Sequence, residues 1–343
     1  MSCEGVRMEQ LSIAIVGCGA IAELGHLPAA LVCPEVRVTT LIDRDEDRAR
    51  RLAAQFGVPH VATEVAAAAE YAVAAVVALP PHLHRSAAET LFAAGLHVLM
   101  EKPLATTVAD CEAMVAAARA ADRVLAVAMM RRFARSARML KAVIASGMLG
   151  RIHRYVARSG AADAWPSRSP FTFSAEQSGG GALVSNGCHD LDLMQWLMGP
   201  LVRFEFRSDS PARMEGNCLL EGELSGECRA TIEISRTRTL ANTIRIEGEF
   251  ASVEAPTMGE TVEIVPAGLD RAAMAQVVPP PLDYPQVMAD QLADFAAAVR
   301  GLRPALVPGE AGRDMIALVE ACYSARQPLV LSWDLPVAAG EAA

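Results

Sequence analysis

The sequence predicts an α/β fold of two parts: an N-terminal doubly wound parallel sheet, then an α+β domain built on a large, open, mostly antiparallel sheet. Three observations predict it. Residues 11 to about 128 alternate continuous apolar runs with helical segments, and runs without polar alternation belong to parallel strands covered on both faces. Beyond about residue 150 apolar and polar residues alternate, as they do in an antiparallel sheet with unlike faces. The length, 343 residues, exceeds one typical domain. The expected division is 8–128 and 129–335, with the last helices packing back on the first domain.

The apolar runs of the first part are "LSIAIV", "VRVTTLI", "AVAAVVAL", "HVLM" and "VLAVAM". Between them "DEDRARRLAAQFG", "HRSAAETLFAAG" and "DCEAMVAAARAAD" carry Ala, Leu and charges at helical spacing. "RFARSARMLKAVIASGMLG" reads as a hinge helix stopped by Gly147 or Gly150. The second part offers strands in "RIHRYVARSG", "LVRFEFRS", "NCLLEGEL", "ECRATIEISR" and "NTIRIEGEF". One strong helix is expected over about 182–198, and two more near 285–300 and 309–325. The Pro-rich "VVPPPLDYP" reads as a surface loop.

Composition narrows the function. A net charge of −9 repels phosphate backbones, so nucleic acid is an unsuitable partner. Eight scattered cysteines without a Cys-x-x-Cys pair suit reduced thiols in a cytoplasmic protein, not a disulfide frame or a metal site. The N-terminus lacks the apolar stretch of a secretion signal, and "YAVAAVVALPP" is too short to span a bilayer. The chain is therefore expected to be cytoplasmic, with no membrane partner and no metal.

"IAIVGCGAIA" places Gly17 and Gly19 directly after the first strand, with Ala20 and Ile21 opening a helix and Ala22 in the third small position. Gly17 allows a tight turn, Gly19 lets a pyrophosphate approach the backbone, and the helix N-terminus offers free N–H groups. A second strand ends at Asp43, where a carboxylate can accept from a ribose diol and repel a 2′-phosphate. Together these point to a Rossmann dinucleotide site for NAD, with NADP left open by the neighbouring Arg44. The bland alternative is a glycine turn followed by a helix-capping aspartate in "DRDED".

In "HVLMEKPLATT", Glu101 and Lys102 stand at the carboxyl end of a strand, where open parallel sheets bind their ligands. Lys102 can donate to a hydroxyl or carbonyl and favour an alkoxide; Glu101 can orient it or accept from the cofactor. A surface ion pair at a helix start is the alternative. In "GGGALVSNGCHDLDLMQWLMG", a continuous helix would align Ser185, His189, Asp192 and Trp196 on one stripe. With an ordinary pKa of about 6.5, His189 is a natural proton carrier near neutrality. A structural histidine fits the local pattern equally well. Trp165 and Trp196 are the aromatic residues best suited to a pocket.

Taken together, "GCGAIA", "PPHLH", "AGLHVLMEKPLA", "MRRF" and "GGGALVSNGCHDLD" resemble the glucose–fructose oxidoreductase / inositol dehydrogenase (Gfo/Idh/MocA) family, over nearly the whole chain. The resemblance implies dehydrogenases that act with NAD(P) on sugars, cyclitols and related polyols. It also implies dimers or tetramers formed through the C-terminal sheet. Gly17, Gly19 and Asp43 match the dinucleotide fingerprint. Leu79, Pro80 and His84 fall on the loop near the nicotinamide, and Glu101 matches an acid touching the cofactor. Lys102 matches the catalytic lysine and His189 the acid/base. Arg131 becomes a candidate for holding substrate hydroxyls, Arg132 a weaker one, and Asp192 a polar flank of the site. Many members carry an aspartate four residues before the histidine, where this chain has Ser185. Asp190 or Asp192 compensates, or the substrate carries a different group there, or redox turnover is weak.

The leading expectation is hydride transfer between nicotinamide and a secondary alcohol or ketone of a polyol. The rivals are a reductase of a non-sugar carbonyl or imine, and a nucleotide-binding sensor without turnover.

Overall fold

The computed structural model describes residues 9–162, 169–269, 274–277 and 284–330. The first sheet holds β1 (Leu11–Val16), β2 (Val36–Ile42), β3 (His60–Ala62), β4 (Ala74–Val77), β5 (His97–Met100) and β6 (Leu125–Val127). All are parallel, in the order β3-β2-β1-β4-β5-β6 of a doubly wound dinucleotide fold. β1 is apolar on both sides because both faces are covered: Ile13, Ala14, Ile15 and Val16 are all buried. β3 was not visible in the sequence, since three residues are too few to carry a period. After β1 the chain makes a π-helical turn (Ala22–His26) that runs straight into α1 (Leu27–Val32). Then come α2 (Glu46–Phe56), α3 (His84–Ala93) and α4 (Val108–Ala120). Local chemistry sets their ends. Asp45 caps α2 by accepting the Arg48 N–H at 3.0 Å, and Gly57 ends it in the left-handed conformation. Thr107 caps α4 through the Asp110 N–H.

The expected hinge helix is shorter than its pattern. A 3₁₀ turn (Met130–Phe133) and the extended Ala134 precede α5 (Arg135–Ala145). The second domain follows with β7 (Ile152–Gly160), α6 (Ala175–Ser178), α7 (Ala182–Ser185) and α8 (Gly187–Met198). Next come β8 (Leu201–Ser208), β9 (Asn217–Leu224), β10 (Cys228–Ser235), β11 (Thr243–Gly248), β12 (Ala251–Pro256), β13 (Thr261–Pro266) and β14 (Met274–Val277). The described chain closes with α9 (Tyr284–Val299), α10 (Gly309–Ser324) and β15 (Arg326–Pro328). The nine strands run β14-β13-β12-β11-β7-β10-β9-β8-β15. β7 with β10 and β8 with β15 are parallel, and every other pair is antiparallel.

The period of two sorts this sheet into unlike faces. Tyr155, Ala157, Ile232, Ile234, Ile244 and Ile246 point inward and are buried against the helices. Outward, Arg154 pairs with Glu247 at 3.6 Å, Arg158 with Glu233 at 3.5 Å and Arg245 with Glu254 at 3.3 Å. The tail returns to the first domain: α9 lies on α1, with Met288, Leu292 and Phe295 in the same core as Ile13 and Ile15. α10 packs on both α4 and α8, so one apolar core runs through both sheets. Most of "VVPPPLDYP" lies outside the described residues.

Candidate active site

A cleft of about 1770 Å³ opens beyond the carboxyl ends of the parallel strands, between the two sheets. Its floor at one end is the glycine turn. Gly17 sits at φ +97°, and a Cβ there would stand 2.6 Å from the Ala78 carbonyl oxygen, so no other residue fits. A Cβ at Gly19 would meet nothing within 4 Å, which is open space on the cleft side, next to Ala20 and Ile21. The first helical bond runs from the Glu23 N–H to the Gly19 carbonyl, so earlier N–H groups have no intrahelical acceptor. Asp43 accepts the Cys18 N–H at 2.8 Å and the Asp45 N–H at 2.9 Å. Its carboxylate is thereby fixed at the cleft wall beside Arg44, Arg48 and Arg51. An open cradle, free N–H groups and an oriented carboxylate fit a dinucleotide. The basic pair Arg48 and Arg51, one helical turn apart on α2, escaped notice in the sequence.

Further along, β5 delivers Glu101 and Lys102, joined to Pro103 by a cis peptide. Glu101 accepts from the Lys102 backbone N–H at 3.0 Å, and its other oxygen lies 2.8 Å from Nε2 of the buried His26. Burial opposes its ionisation, but the His26 hydrogen bond and charge, with the Lys102 ammonium, outweigh burial and hold the carboxyl below its ordinary range. His26 comes from the π turn, and nothing in its sequence neighbourhood pointed to it. α9 adds Tyr284 at the cleft wall; its hydroxyl is pushed up by burial first and by the Glu101 charge second.

The expected helix over 182–198 is broken at Asn186, between α7 and α8. The break changes what Ser185 offers. Its carbonyl, freed at the end of α7, accepts the Lys102 ammonium at 2.7 Å, while its Oγ is buried without a partner. Lys102, Ser185 and His189 line the same cleft, so residues 87 positions apart meet there. His189 is 9% exposed with its Nδ1 unpartnered. Burial, then the Lys102 and Arg131 charges, push its pKa well below the ordinary value. This corrects the expectation of an unperturbed imidazole titrating near neutrality. Arg131 also lines the cleft, held by Asp190 Oδ1 at 3.0 Å, which in turn accepts from Ser159 Oγ at 2.7 Å.

Other expectations need correction. Asp192 does not reach the cleft: it is 1% exposed and forms a two-pronged pair with Arg132 at 2.7 and 2.8 Å, which withdraws both residues from substrate. The supposed stripe fails because the break at Asn186 removes Ser185 from the register of α8. Trp196 instead packs under Arg132 and Lys141. His84 is fully buried; its ring nitrogens face the Leu79 carbonyl at 2.8 Å and the Pro103 and Leu104 carbonyls at 3.1 Å. It ties the Leu79–Pro80 wall of the cleft to the lysine turn rather than touching a cofactor. Trp165 lies outside the described residues.

Comparison with known proteins adds a second line. The family described as "Oxidoreductase family, NAD-binding Rossmann fold" matches residues 11–129, and the "GFO/IDH/MocA C-terminal domain" matches residues 137–254. Inositol 2-dehydrogenase 1 of Saccharopolyspora erythraea is 30% identical over 241 residues, 66% of this chain and 68% of that one. The chain belongs to the Gfo/Idh/MocA oxidoreductase family. D-glucoside 3-dehydrogenase of Escherichia coli (strain K12) is 29% identical over 191 residues, 55% of this chain and 54% of that one. This Gfo/Idh/MocA chain spans about half the length of the first curated relatives it matches. The crystal structure of aldose-aldose oxidoreductase from Caulobacter crescentus, complexed with glycerol, superposes with a TM-score of 0.83 at 23% identity. It covers 92% of this chain and 97% of its own, and at that identity it speaks for the shared Gfo/Idh/MocA fold alone.

Proposed function

We propose that the protein is an NAD-dependent oxidoreductase acting on a secondary alcohol, or the matching ketone, of a sugar, cyclitol or related polyol. The observation that carries this reading is the meeting of Lys102 and His189 in one cleft with the Gly17–Gly19 turn and Asp43. Bound NAD⁺ supplies the hydride acceptor. His189, neutral because its pKa is depressed, accepts the hydroxyl proton. Lys102, anchored by the Ser185 carbonyl, keeps two further N–H donors for the oxygen that gains negative charge. Arg131, braced by Asp190, holds a substrate oxygen. NAD is preferred over NADP because the fixed Asp43 carboxylate suits a ribose diol; Arg44, Arg48 and Arg51 nearby leave a 2′-phosphate tolerable. The relatives named as inositol and glucoside dehydrogenases support the polyol class.

The test follows reduced-nicotinamide absorbance with NAD⁺ or NADP⁺ over a panel of polyols and sugars, and with NADH or NADPH over keto acids and imines. Turnover of polyols with NAD⁺ is expected. Keto acids or imines turned over instead would select the carbonyl reductase, and cofactor binding without turnover would select a sensor. Lys102→Ala is expected to lower kcat about 10²–10³-fold, as loss of a transition-state donor does, with little change in NAD⁺ affinity; undiminished turnover would exclude the role. A cytoplasmic location is supported by the free cysteines, all seven of those described being buried. Among the described residues no helix is long and apolar enough to cross a membrane. The outer face of the nine-stranded sheet, with its Arg–Glu rows, is the surface we propose for a dimer or tetramer, to be read by light scattering.

A further inference from the structure

The chain carries a net charge of −9, yet its cleft is lined by more cations than acids. Arg44, Arg48 and Arg51 stand at the Asp43 end, where a dinucleotide brings its own negative charge. At the opposite end stand Lys102, Arg131, Arg135 and Arg236. The carboxylates facing these four are Glu101, Asp190 and Glu260. Glu101 is engaged with His26 and the Lys102 N–H, and Asp190 with Arg131 and Ser159. Glu260 belongs to the turn whose Gly259 carbonyl accepts the Ser136 N–H, beside Arg135. Lys102 donates to the Ser185 carbonyl and Arg135 has a partner of its own, so one of the four cationic side chains is left without a partner among the described residues.

That charge is Arg236. It follows β10 directly, and its N–H donates to the Gly216 carbonyl at 2.7 Å, so the pleat continues through it. Its side chain therefore leaves the sheet on the side of Ile234, the face on which α8 rests through Gly187. On the neighbouring β7, Ser159 pairs with Ile234 and touches Arg131 at 3.5 Å. The register thus sets Arg236 one step past the Ser159–Arg131 contact, on the His189 side of the sheet. It is half-buried, lines the cleft, and its guanidinium has no hydrogen bond or ion pair among the described residues. A guanidinium on the cleft wall with no carboxylate bound to it keeps its donors free for an anionic group of a ligand.

From this we infer that the substrate is a polyol bearing a carboxylate, a sugar acid of the aldonate or uronate kind, whose carboxylate is received by Arg236 with Arg131 beside it. A single unpartnered guanidinium suits a monoanion better than a dianionic phosphate, and its planar fork matches a carboxylate two-to-two. The inference rests on the polyol dehydrogenase reading and deepens it.

The experiment compares glucose, gluconate, glucuronate and glucose 6-phosphate with NAD⁺, for the unaltered protein and for Arg236→Gln. The expected result is kcat/KM at least about tenfold higher for a carboxylated sugar than for glucose, with that preference falling about tenfold or more in Arg236→Gln, mainly through KM. Glucose handled as well as the acids, a preference for the phosphate, or an equal loss for acid and neutral sugar in the variant would each overturn it. Polyols oxidised without regard to charge would sink this inference alone. If nothing in this panel is oxidised, the dehydrogenase reading is judged by the wider polyol panel above, and calorimetric binding of gluconate to the NAD⁺-loaded protein decides this inference. Binding that Arg236→Gln weakens about tenfold sustains the anion site, and no binding removes it.

Discussion

His189 shows how much of a residue's chemistry lies outside the residue. Its sequence context predicts an ordinary histidine, but burial, Lys102 and Arg131 all oppose its protonation. The acid limb of kcat/KM should therefore fall below pH 6.5 rather than at it. Removing one of the two charges moves the limb back: in Lys102→Ala the imidazole, followed by NMR of its ring protons, is expected to titrate at higher pH than in the unaltered protein. An unchanged titration would mean that the Lys102 charge has no part in the value, leaving it to burial and Arg131. The same shift links to stability. A histidine with a depressed folded pKa takes up its proton first in the unfolded chain, so its contribution is whole above pH 6.5 and is lost as pH falls below that. The stability advantage of the unaltered protein over His189→Asn, read by urea unfolding, should consequently be constant above pH 6.5 and shrink as pH falls below it.

Among the elements, the broken helix between Ala182 and Met198 carries the site. Gly187 opens its second half because a Cβ there would collide with Ile234 Cδ1, so α8 rests directly on β10. Gly187→Val is expected to lower stability by about 1–3 kcal/mol through overpacking and to reduce kcat by displacing His189, both read by urea unfolding and steady-state kinetics. Full activity in a destabilised variant would show that α8 tolerates the shift. The break itself was not legible, since Leu183 through Met198 keeps helical spacing across it. The strands that frame the cleft were legible because continuous apolar runs and a glycine turn have few other physical uses. His26, Arg236 and the Arg132–Asp192 pair were not. Each depends on a π turn, a sheet register or a contact across 60 residues, none of which leaves a local period. Asp192 misled for a related reason: a carboxylate near a histidine looks the same in sequence whether it faces ligand or a buried arginine.

For the whole molecule, the Arg132–Asp192 pair fastens the turn after β6 to α8, and Arg132 also donates to the Leu306 carbonyl at 3.0 Å. Both charges are almost wholly shielded from water. Asp192→Ala leaves the guanidinium buried without its partner, at an expected cost of about 3–5 kcal/mol. Urea unfolding checks this; a change under 1 kcal/mol would mean that Arg132 finds other acceptors. The tail has a comparable reach. Met288, Leu292 and Phe295 of α9 complete the core over Ile13 and Ile15, and Tyr284 completes the wall beside Glu101. On the ribosome the dinucleotide motif of residues 17–22 therefore emerges about 260 residues ahead of the helix that covers its strand. Throughout that interval one flank of the young sheet is greasy and bare, and the coenzyme can be gripped fully only once α9 has arrived.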